Sequence, residues 1–540
     1  MFSDTRSRRA RRANSGYFKT GKVKVGVEME SARKTELWSK KEFKRLLYIL
    51  RTNQKVWEFV KNKKQLKDGE VGKMQYTSEQ EEIIAKAVEL FKNGTSEILK
   101  VNALAGTGKT TTMLAVSQAL VNAGAENILY LVFNKHMQSE IESKIKNMGL
   151  SSYIKAKTIN AVAYHFARKK RFRHIQTAYD YAINYKEFKE YQNFCKYYKD
   201  GNNGIYNELL RNKELDFQGE VRFLADNAHY LEYDAIILDE SQDVNPCMLA
   251  FFKKAKAKLK IAVGDANQSI YLFNGAINAM KIIQTDHSLN LTASFRTRNK
   301  EVQELVNVVL QLIDAKNPFY AISSTQPTVG TTTVYLTRTN AAAIKHLQLL
   351  DEKGENAGIN ASKDMIETID DLLLLMRRNY SKRLPKISLW DVEVAVKMMS
   401  NNFTAEEGSN SDNMLYEYAL LYSLVDGDVK ELKSLKDLIE LYKVDPTKLE
   451  SVDTYITTAH RFKGLQAPYA YIDTKSFEKV LERYREALKS HSDTRIKKII
   501  QEYIKQEYNL FYIALTRAIN GIKNIREAKE YIENVLLQVT

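Results

Sequence analysis

Apolar residues along the chain follow two different periods. Between Leu37 and Val60 they recur at helical spacing, at Leu37, Phe43, Leu46, Leu47, Leu50, Val56 and Val60, which predicts one or two amphipathic helices. Elsewhere, short apolar runs stop abruptly in polar chemistry. Ile98 to Ala103 reads as a buried strand that enters a glycine-bearing loop, with a helix-favouring segment from Lys109 onward. Tyr233 to Leu238 reads as a second such strand, ending in Asp239 and Glu240. Residues 165–229 are dense in aromatic and basic groups, among them Phe172, Tyr191, Tyr197, Arg168 and Lys170. Most of these rings are expected to fill a small helical core. No stretch of roughly 18 apolar residues occurs, so no helical span of a bilayer is expected.

Composition adds scale and charge. At roughly 100–200 residues per domain, the chain is long enough for about three to five folded units. With 540 residues, 44% of them apolar, it is not wholly disordered. Two cysteines, Cys195 and Cys247, exclude a disulfide framework and any multi-cysteine metal site. Lys and Arg number 82 against 66 Asp and Glu, a net charge of +16, which points to a polyanionic partner. That excess is unevenly placed. Residues 1–75 hold 21 basic and 8 acidic side chains, a net of +13, and the rest of the chain is nearly balanced. The run Arg6, Arg8, Arg9, Arg11, Arg12 has no apolar core beside it, so it is not a secretory signal. A solvated tail, a nucleic-acid-binding arm and a targeting segment are the open readings.

The strongest chemistry lies in residues 96–113, SEILKVNALAGTGKTTTM. Glycines at 106 and 108 allow backbone N–H groups to wrap a phosphate chain, and the helix N-terminus behind them adds positive potential. Ala105, Gly106, Thr107, Gly108, Lys109, Thr110 and Thr111 form the expected cradle. Lys109 would reach the β- and γ-phosphates of ATP, and the Thr110 hydroxyl would hold Mg²⁺. The strict P-loop pattern departs only at its first position, where Ala103 stands. The second strand, YDAIILDESQD at Tyr233–Asp243, supplies the partners: Asp239 for Mg²⁺ and Glu240 to polarise the attacking water.

Further motifs follow in a fixed order. They are YTSEQ at Tyr76, YLVFNK at Tyr130, KTINAVAY at Lys157, VGDANQSIYLFNGA at Val263, LTASFRT at Leu291, VYLTRTN at Val334, ITTAHRFKGLQ at Ile456 and QEYNLFYIALTRA at Gln506. Together these resemble the motifs of superfamily 1 helicases of the UvrD/Rep/PcrA type. Their phrasing is similar to that of smaller UvrD-like enzymes related to the F-box DNA helicase. The resemblance runs from Tyr76 to Ala518 and leaves out the N-terminal 75 residues.

The resemblance implies a role for each matched position. Gln80 would read the adenine edge, Phe295 would lie against the adenine, and Gln466, standing where Glu is usual, would meet the ribose. Gln268 would sense the γ-phosphate, with Arg296 and the arginine finger Arg517 on the phosphates. Lys109, Glu240, Gln268, Arg296 and Arg517 are then the catalytic set. Phe133, Asn134, Asn160 (where the family usually has His), Tyr271, Phe273 and His460 would meet single-stranded DNA.

The implied fold is α/β: two tandem RecA-like P-loop motor domains, mainly helical inserted subdomains, and a basic N-terminal extension. The expected boundaries are 1–75 for the extension, 76–164 with 230–297 for the first motor domain, and 165–229 for its helical insert. Residues 298–340 with 451–540 would make the second motor domain, and 341–450 its insert. The implied function is that of an ATP-dependent DNA helicase or single-strand translocase of 3′→5′ polarity, acting in replication, repair or recombination on single strands and junctions. The alternatives are a DNA-stimulated translocase that strips proteins or powers a defence complex without robust unwinding, and an ATP-gated DNA-binding scaffold. A protein partner would dock on the extension or on 341–450. The expected compartment is the cytoplasm of a bacterial or phage-type system, or the nucleus or mitochondrion if the Arg-rich start is a targeting signal.

Overall fold

The computed structural model describes residues 76–272, 275–313, 320–321, 330–378, 388–399 and 410–536. The chain divides into two units between Gln75 and Tyr76. The first unit lies outside the described residues, and with it the helices expected between Leu37 and Val60.

The second unit is organised by two parallel sheets. Strands β1 (Glu97–Ala103), β2 (Ile128–Val132), β3 (Ile154–Thr158), β6 (Glu232–Leu238), β7 (Lys256–Gly264) and β8 (His287–Leu291) form a six-stranded sheet in the order β3-β2-β6-β7-β1-β8. All its pairings are parallel. β2 reads ILYLV and is buried at every position, as a strand covered on both faces should be. Register then fixes the site. Asn102 pairs with Gly264 and Leu238 with Ala262, so β1, β7 and β6 end side by side at one carboxyl edge. The phosphate loop, Asp265 to Gln268, and Asp239 with Glu240 all emerge there, where parallel sheets place their ligands.

Local sequence explains the helices that frame this edge. Helix Ser78–Asn93 opens on a capping box made by Thr77 and Gln80 and closes on Gly94 in the left-handed conformation. Helix Lys109–Asn122 packs against it and carries the loop's lysine at its first position. Residues 165–229 form the small core expected of them: Phe172, Tyr191, Phe194, Tyr206 and Leu209 are buried together. This segment is not purely helical, because β4 (Arg173–His174) pairs with β5 (Glu214–Leu215). Its helices include Tyr185–Lys196 and Phe217–Asp226, and helix Ile159–Lys169 runs across its expected start at residue 165.

Past a short pair of β9 (Ala293–Ser294) with β10 (Tyr320–Ala321), the second sheet holds β11 (Thr333–Thr337), β12 (Ala357–Ile359), β13 (Thr454–Thr458), β14 (Ala467–Ile472) and β15 (Ala518–Ile522). Their order is β12-β13-β11-β14-β15. β12 lies inside 341–450, so the second sheet reaches into the segment expected to be an insert. A three-residue AGI strand carries too little periodicity to be read beforehand. The helical part of that segment begins with helix Lys363–Arg378 and runs to helix Val429–Leu441, around a core that includes Ile369, Leu372, Tyr418 and Ile439. Helix Thr494–Leu515 lies between the two sheets' site edges, and every residue from Glu507 to Leu515 is buried. Leu104, Ala105 and Ile270, from loops of the first sheet, belong to the same apolar cluster as this helix. Among the described residues no helix is long and apolar enough to cross a membrane.

Candidate functional site

The phosphate loop leaves β1 at Leu104 and turns through Gly106 (φ +73°) and Gly108 (φ +77°), backbone that L side chains rarely adopt. Gly106 has a second reason to be glycine. A Cβ there would sit 2.7 Å from both Arg296 Cβ and Ser294 Oγ, and the Gly106 carbonyl accepts from Phe295 N at 2.9 Å. Thr107 is buried and donates to the Leu104 carbonyl, whereas Thr111 is exposed one turn along the helix. Lys109 Nζ donates to Glu240 Oε1 at 2.6 Å, both side chains nearly buried. Burial alone would raise the Glu240 carboxyl, but Lys109 and then Lys463 outweigh it and bring it to about 2. Glu240 also accepts from Gln242 and stands in the left-handed conformation at the strand end. Beside it, burial lifts Asp239 to about 6 against the pull of Lys109. Tyr130 OH and Glu240 N both donate to the Asp239 carboxylate, at 3.0 and 2.8 Å.

Groups from the second sheet close over this edge. Tyr512 accepts a hydrogen bond from Ala105 N at 2.9 Å and donates to Asp265 Oδ2 at 2.9 Å. The same Asp265 oxygen accepts from Gln268 Nε2 at 2.8 Å. Lys463 Nζ pairs with Asp243 and donates to the Gln268 carbonyl at 2.6 Å. Arg296, half-buried, donates to Gln466 Oε1 at 3.0 Å and to the Thr516 carbonyl at 3.2 Å. Arg517 is 1% exposed and, among the described residues, donates to oxygens without charge: the Ile513 and Leu465 carbonyls and the Thr516 hydroxyl. Burial and then Arg296 push its pKa well below the usual arginine range. A guanidinium stays charged even so, and an arriving anion would relieve that cost. Gln80 Nε2 donates to Thr112 Oγ1 at 3.0 Å, while its Oε1 accepts from Thr77 N. The Phe295 ring, 43% exposed, lies with Gln80 against Gly108.

The residues expected at a strand divide. Phe133 and Tyr271 stack at 5.2 Å between centroids and 19° between planes, with Lys463 Nζ 5.1 Å above Tyr271. Phe133 is partly exposed, so the stack presents a ring to solvent. Asn160 is exposed at the start of its helix, and Asn134 uses its side-chain oxygen to cap helix Lys135–Asn147. His460 is half-buried near Arg338, Lys463 and Arg461; burial first, then these cations, hold its imidazole neutral. Phe273 lies outside the described residues.

Comparison with known proteins fits this arrangement. The AAA domain family matches residues 84–274, which span the phosphate loop, the Asp239–Glu240 strand and Gln268. F-box DNA helicase protein 1 of Schizosaccharomyces pombe is 28% identical over 320 residues, 54% of this chain and 33% of that protein. F-box DNA helicase 1 of Gallus gallus is 24% identical over 287 residues, 42% of this chain and 27% of that one. The chain is similar to these DNA helicases. It spans about a third or less of the length of these relatives. The crystal structure of Pif1 helicase from Candida albicans aligns over 86% of this chain at 10% identity with a TM-score of 0.34. The fold assignment rests on the two sheets themselves.

Tyr512, Asp265 and Asp243 join the site without having been expected there. Each lies inside a motif already singled out. The signal available was polarity inside an apolar run: one phenol in LFYIAL, and an aspartate directly after the buried strand LKIAVG.

Proposed function

We propose that this protein is an ATP-driven DNA helicase or single-strand translocase, of 3′→5′ polarity, whose motor strokes come from closing and opening the two sheets around ATP. The observation that carries the reading is the meeting at one carboxyl edge of Lys109, Glu240, Gln268 and Arg296 with Arg517, Lys463 and Tyr512 from the other side.

The residues supply the required chemistry in turn. Without nucleotide the Lys109 charge is spent on Glu240, so the base is neutralised in place. A triphosphate in the loop competes for Lys109, and release of Glu240 leaves an ionised carboxylate to orient and polarise water. Arg296 and Arg517 then meet the phosphates, and an arginine finger contributes roughly 10³–10⁵ in rate. Phe295 and Gln80 sit where the adenine would lie, and Gln466 reaches the ribose only after giving up Arg296. Thr110 and Asp239 are the residues that would hold Mg²⁺. The buried Asp239 carboxyl, raised to about 6, fits a cation that would remove its desolvation cost. When bound, that ion neutralises charge building on the phosphates.

Hydrolysis reverses the closure, and the Phe133–Tyr271 stack gives each stroke a base to grip. Base–aromatic stacking is worth about 1–3 kcal/mol per base and tolerates any sequence, as a motor requires. The test is ATPase with and without single-stranded DNA, followed by strand displacement from 3′- and 5′-tailed duplexes. DNA stimulation lost in Lys109→Ala and Glu240→Gln, with unwinding from the 3′ tail, is the expected result. Turnover indifferent to DNA would overturn the motor reading, and unwinding from the 5′ tail alone would overturn the polarity.

A further inference from the structure

The first sheet has a second charged edge, opposite the phosphate loop. Lys256, Lys258 and Lys260 alternate along the start of β7, spaced by roughly 6–7 Å, and Lys254 stands just before them. These four lysines line one cleft of about 350 Å³ together with Tyr233 and a single acid, Glu232. The site described above begins beyond Gly264, at the other end of β7 and roughly 26 Å away. Three of the lysines are held in place. Lys260 is 7% exposed, and its ammonium donates to the Lys253 carbonyl at 2.6 Å in the last turn of helix Pro246–Lys254. Burial lowers its pKa. Lys254 Nζ donates to Tyr198 OH at 2.6 Å and lies 4.7 Å from that ring's centroid. Lys258 pairs with Asp234 at 2.7 Å, an acid already accepting from Glu126 N and Asn127 N. Among the described residues no carboxylate pairs with Lys254, Lys256 or Lys260, although Glu232 stands opposite Lys256 in the strand register.

A buried ammonium without a counter-ion is costly, and an arriving anion relieves that cost. We propose that this cleft holds phosphates of the nucleic-acid backbone, outside the stretch gripped at the carboxyl edge. The row of evenly spaced cations suits a linear polyanion, whereas a compact phosphate chain needs charges that converge on one point. Lysine contacts of this kind position a backbone and read no sequence, as a motor requires. The neighbouring surface favours nucleic acid over an acidic protein segment. Lys256 N donates to the Leu231 carbonyl, which places the cleft beside Tyr230, a ring 68% exposed with Lys170 Nζ 5.7 Å from its centroid. Lys170 caps the end of helix Ile159–Lys169, whose first turn carries Asn160 at the expected strand site. Basic and aromatic groups thus join the two edges along one helix. The inference rests on the motor reading. It adds a second anchor, between the Asp239–Glu240 strand end and the VGDANQSIYLFNGA motif, in a stretch that none of the helicase motifs contains.

The test is binding to the full chain, across about 50 to 200 mM salt, of a 3′-tailed duplex, a single strand of the same total length and a short oligothymidylate. Lys254 and Lys256 are both exposed, so the double variant Lys254→Gln/Lys256→Gln removes two charges without opening the core. Its salt slope is expected to be shallower by about 1.4 if single strand lies in the cleft, or about 1.8 if duplex does. Loss on the tailed duplex alone assigns the cleft to duplex, and loss on both long substrates assigns it to single strand. Lys254→Arg/Lys256→Arg should restore the slope. The short oligothymidylate and a fluorescent nucleotide should bind the variant as they bind the wild type. A slope that falls equally on the short oligothymidylate reports a general loss of positive field and overturns the site. Intact DNA slopes with lost binding of poly-glutamate would give the cleft to an acidic protein segment, which also overturns it. Unchanged slopes on both long substrates, in a preparation whose wild type shows DNA-stimulated ATPase, overturn the site and leave the motor reading standing. A wild type that binds none of the three DNAs overturns both.

Discussion

Tyr512 joins three parts of the site through one oxygen. It accepts from the backbone of the phosphate loop, donates to Asp265, and through Asp265 is linked to Gln268. Removing that oxygen leaves a buried N–H and a buried carboxylate each short of a partner, a loss of about 1–3 kcal/mol per group. Tyr512→Phe is therefore expected to lower the unfolding midpoint and cut DNA-stimulated turnover while nucleotide affinity changes little. Thermal unfolding beside a nucleotide titration checks it, and unchanged turnover would remove the coupling role. Gly106→Ala is expected to be worse. It adds about 1–2 kcal/mol of left-handed strain to the 2.7 Å collisions with Arg296 and Ser294. Lost nucleotide binding in a folded protein is the expected readout. At this scale the sequence was legible where chemistry is written in residue type: lysine, paired acids, arginines. It was silent where geometry decides. Nothing in FKGLQ says that Gln466 holds Arg296, and nothing in YLVFNK says that Asn134 is spent on a helix cap.

Among elements, helix Thr494–Leu515 and the turn carrying Lys463 do the joining. Lys463 crosses to Asp243 and the Gln268 carbonyl, and Asn509 donates to the Ser269 carbonyl at 2.9 Å. Burial, opposed by Lys463, raises Asp243 to about 6 from its ordinary 3.8. The folded state therefore holds this proton more tightly than the unfolded chain does. Asp243 thus favours folding most fully below about 3.8, and that contribution is lost as pH rises through about 6. The ionised pair with Lys463 forms over the same interval. Coupling of ATP turnover to DNA is accordingly expected to fall as pH drops below about 6, and Asp243→Asn should flatten that limb. A pH profile of the DNA-stimulated to basal ratio checks this, and an unaltered limb in the variant would assign it to another group. Element types were largely readable, since apolar runs such as ILYLV on β2 announce parallel strands. β12 was not, because a three-residue strand takes its identity from pairing with β13.

Across the whole molecule, charge and chemistry occupy different places. Residues 76–540 carry the sheets and the site, yet nearly balance in charge, while residues 1–75 hold a net +13. On the proposed motor reading, a strand would be held through local features such as the Phe133–Tyr271 stack and Lys463. Long-range attraction then falls to the first 75 residues. Counterion release makes the two contributions separable, because it scales with phosphates neutralised and not with rings stacked. Deleting residues 1–75 is therefore expected to weaken DNA binding at low salt and to make its salt dependence shallower by several phosphate equivalents. Basal ATPase and the pH limb of Asp243 should stay in place. If the shortened protein keeps the full salt slope, those arginines and lysines do not touch DNA, and the +13 belongs to a solvated or targeting segment.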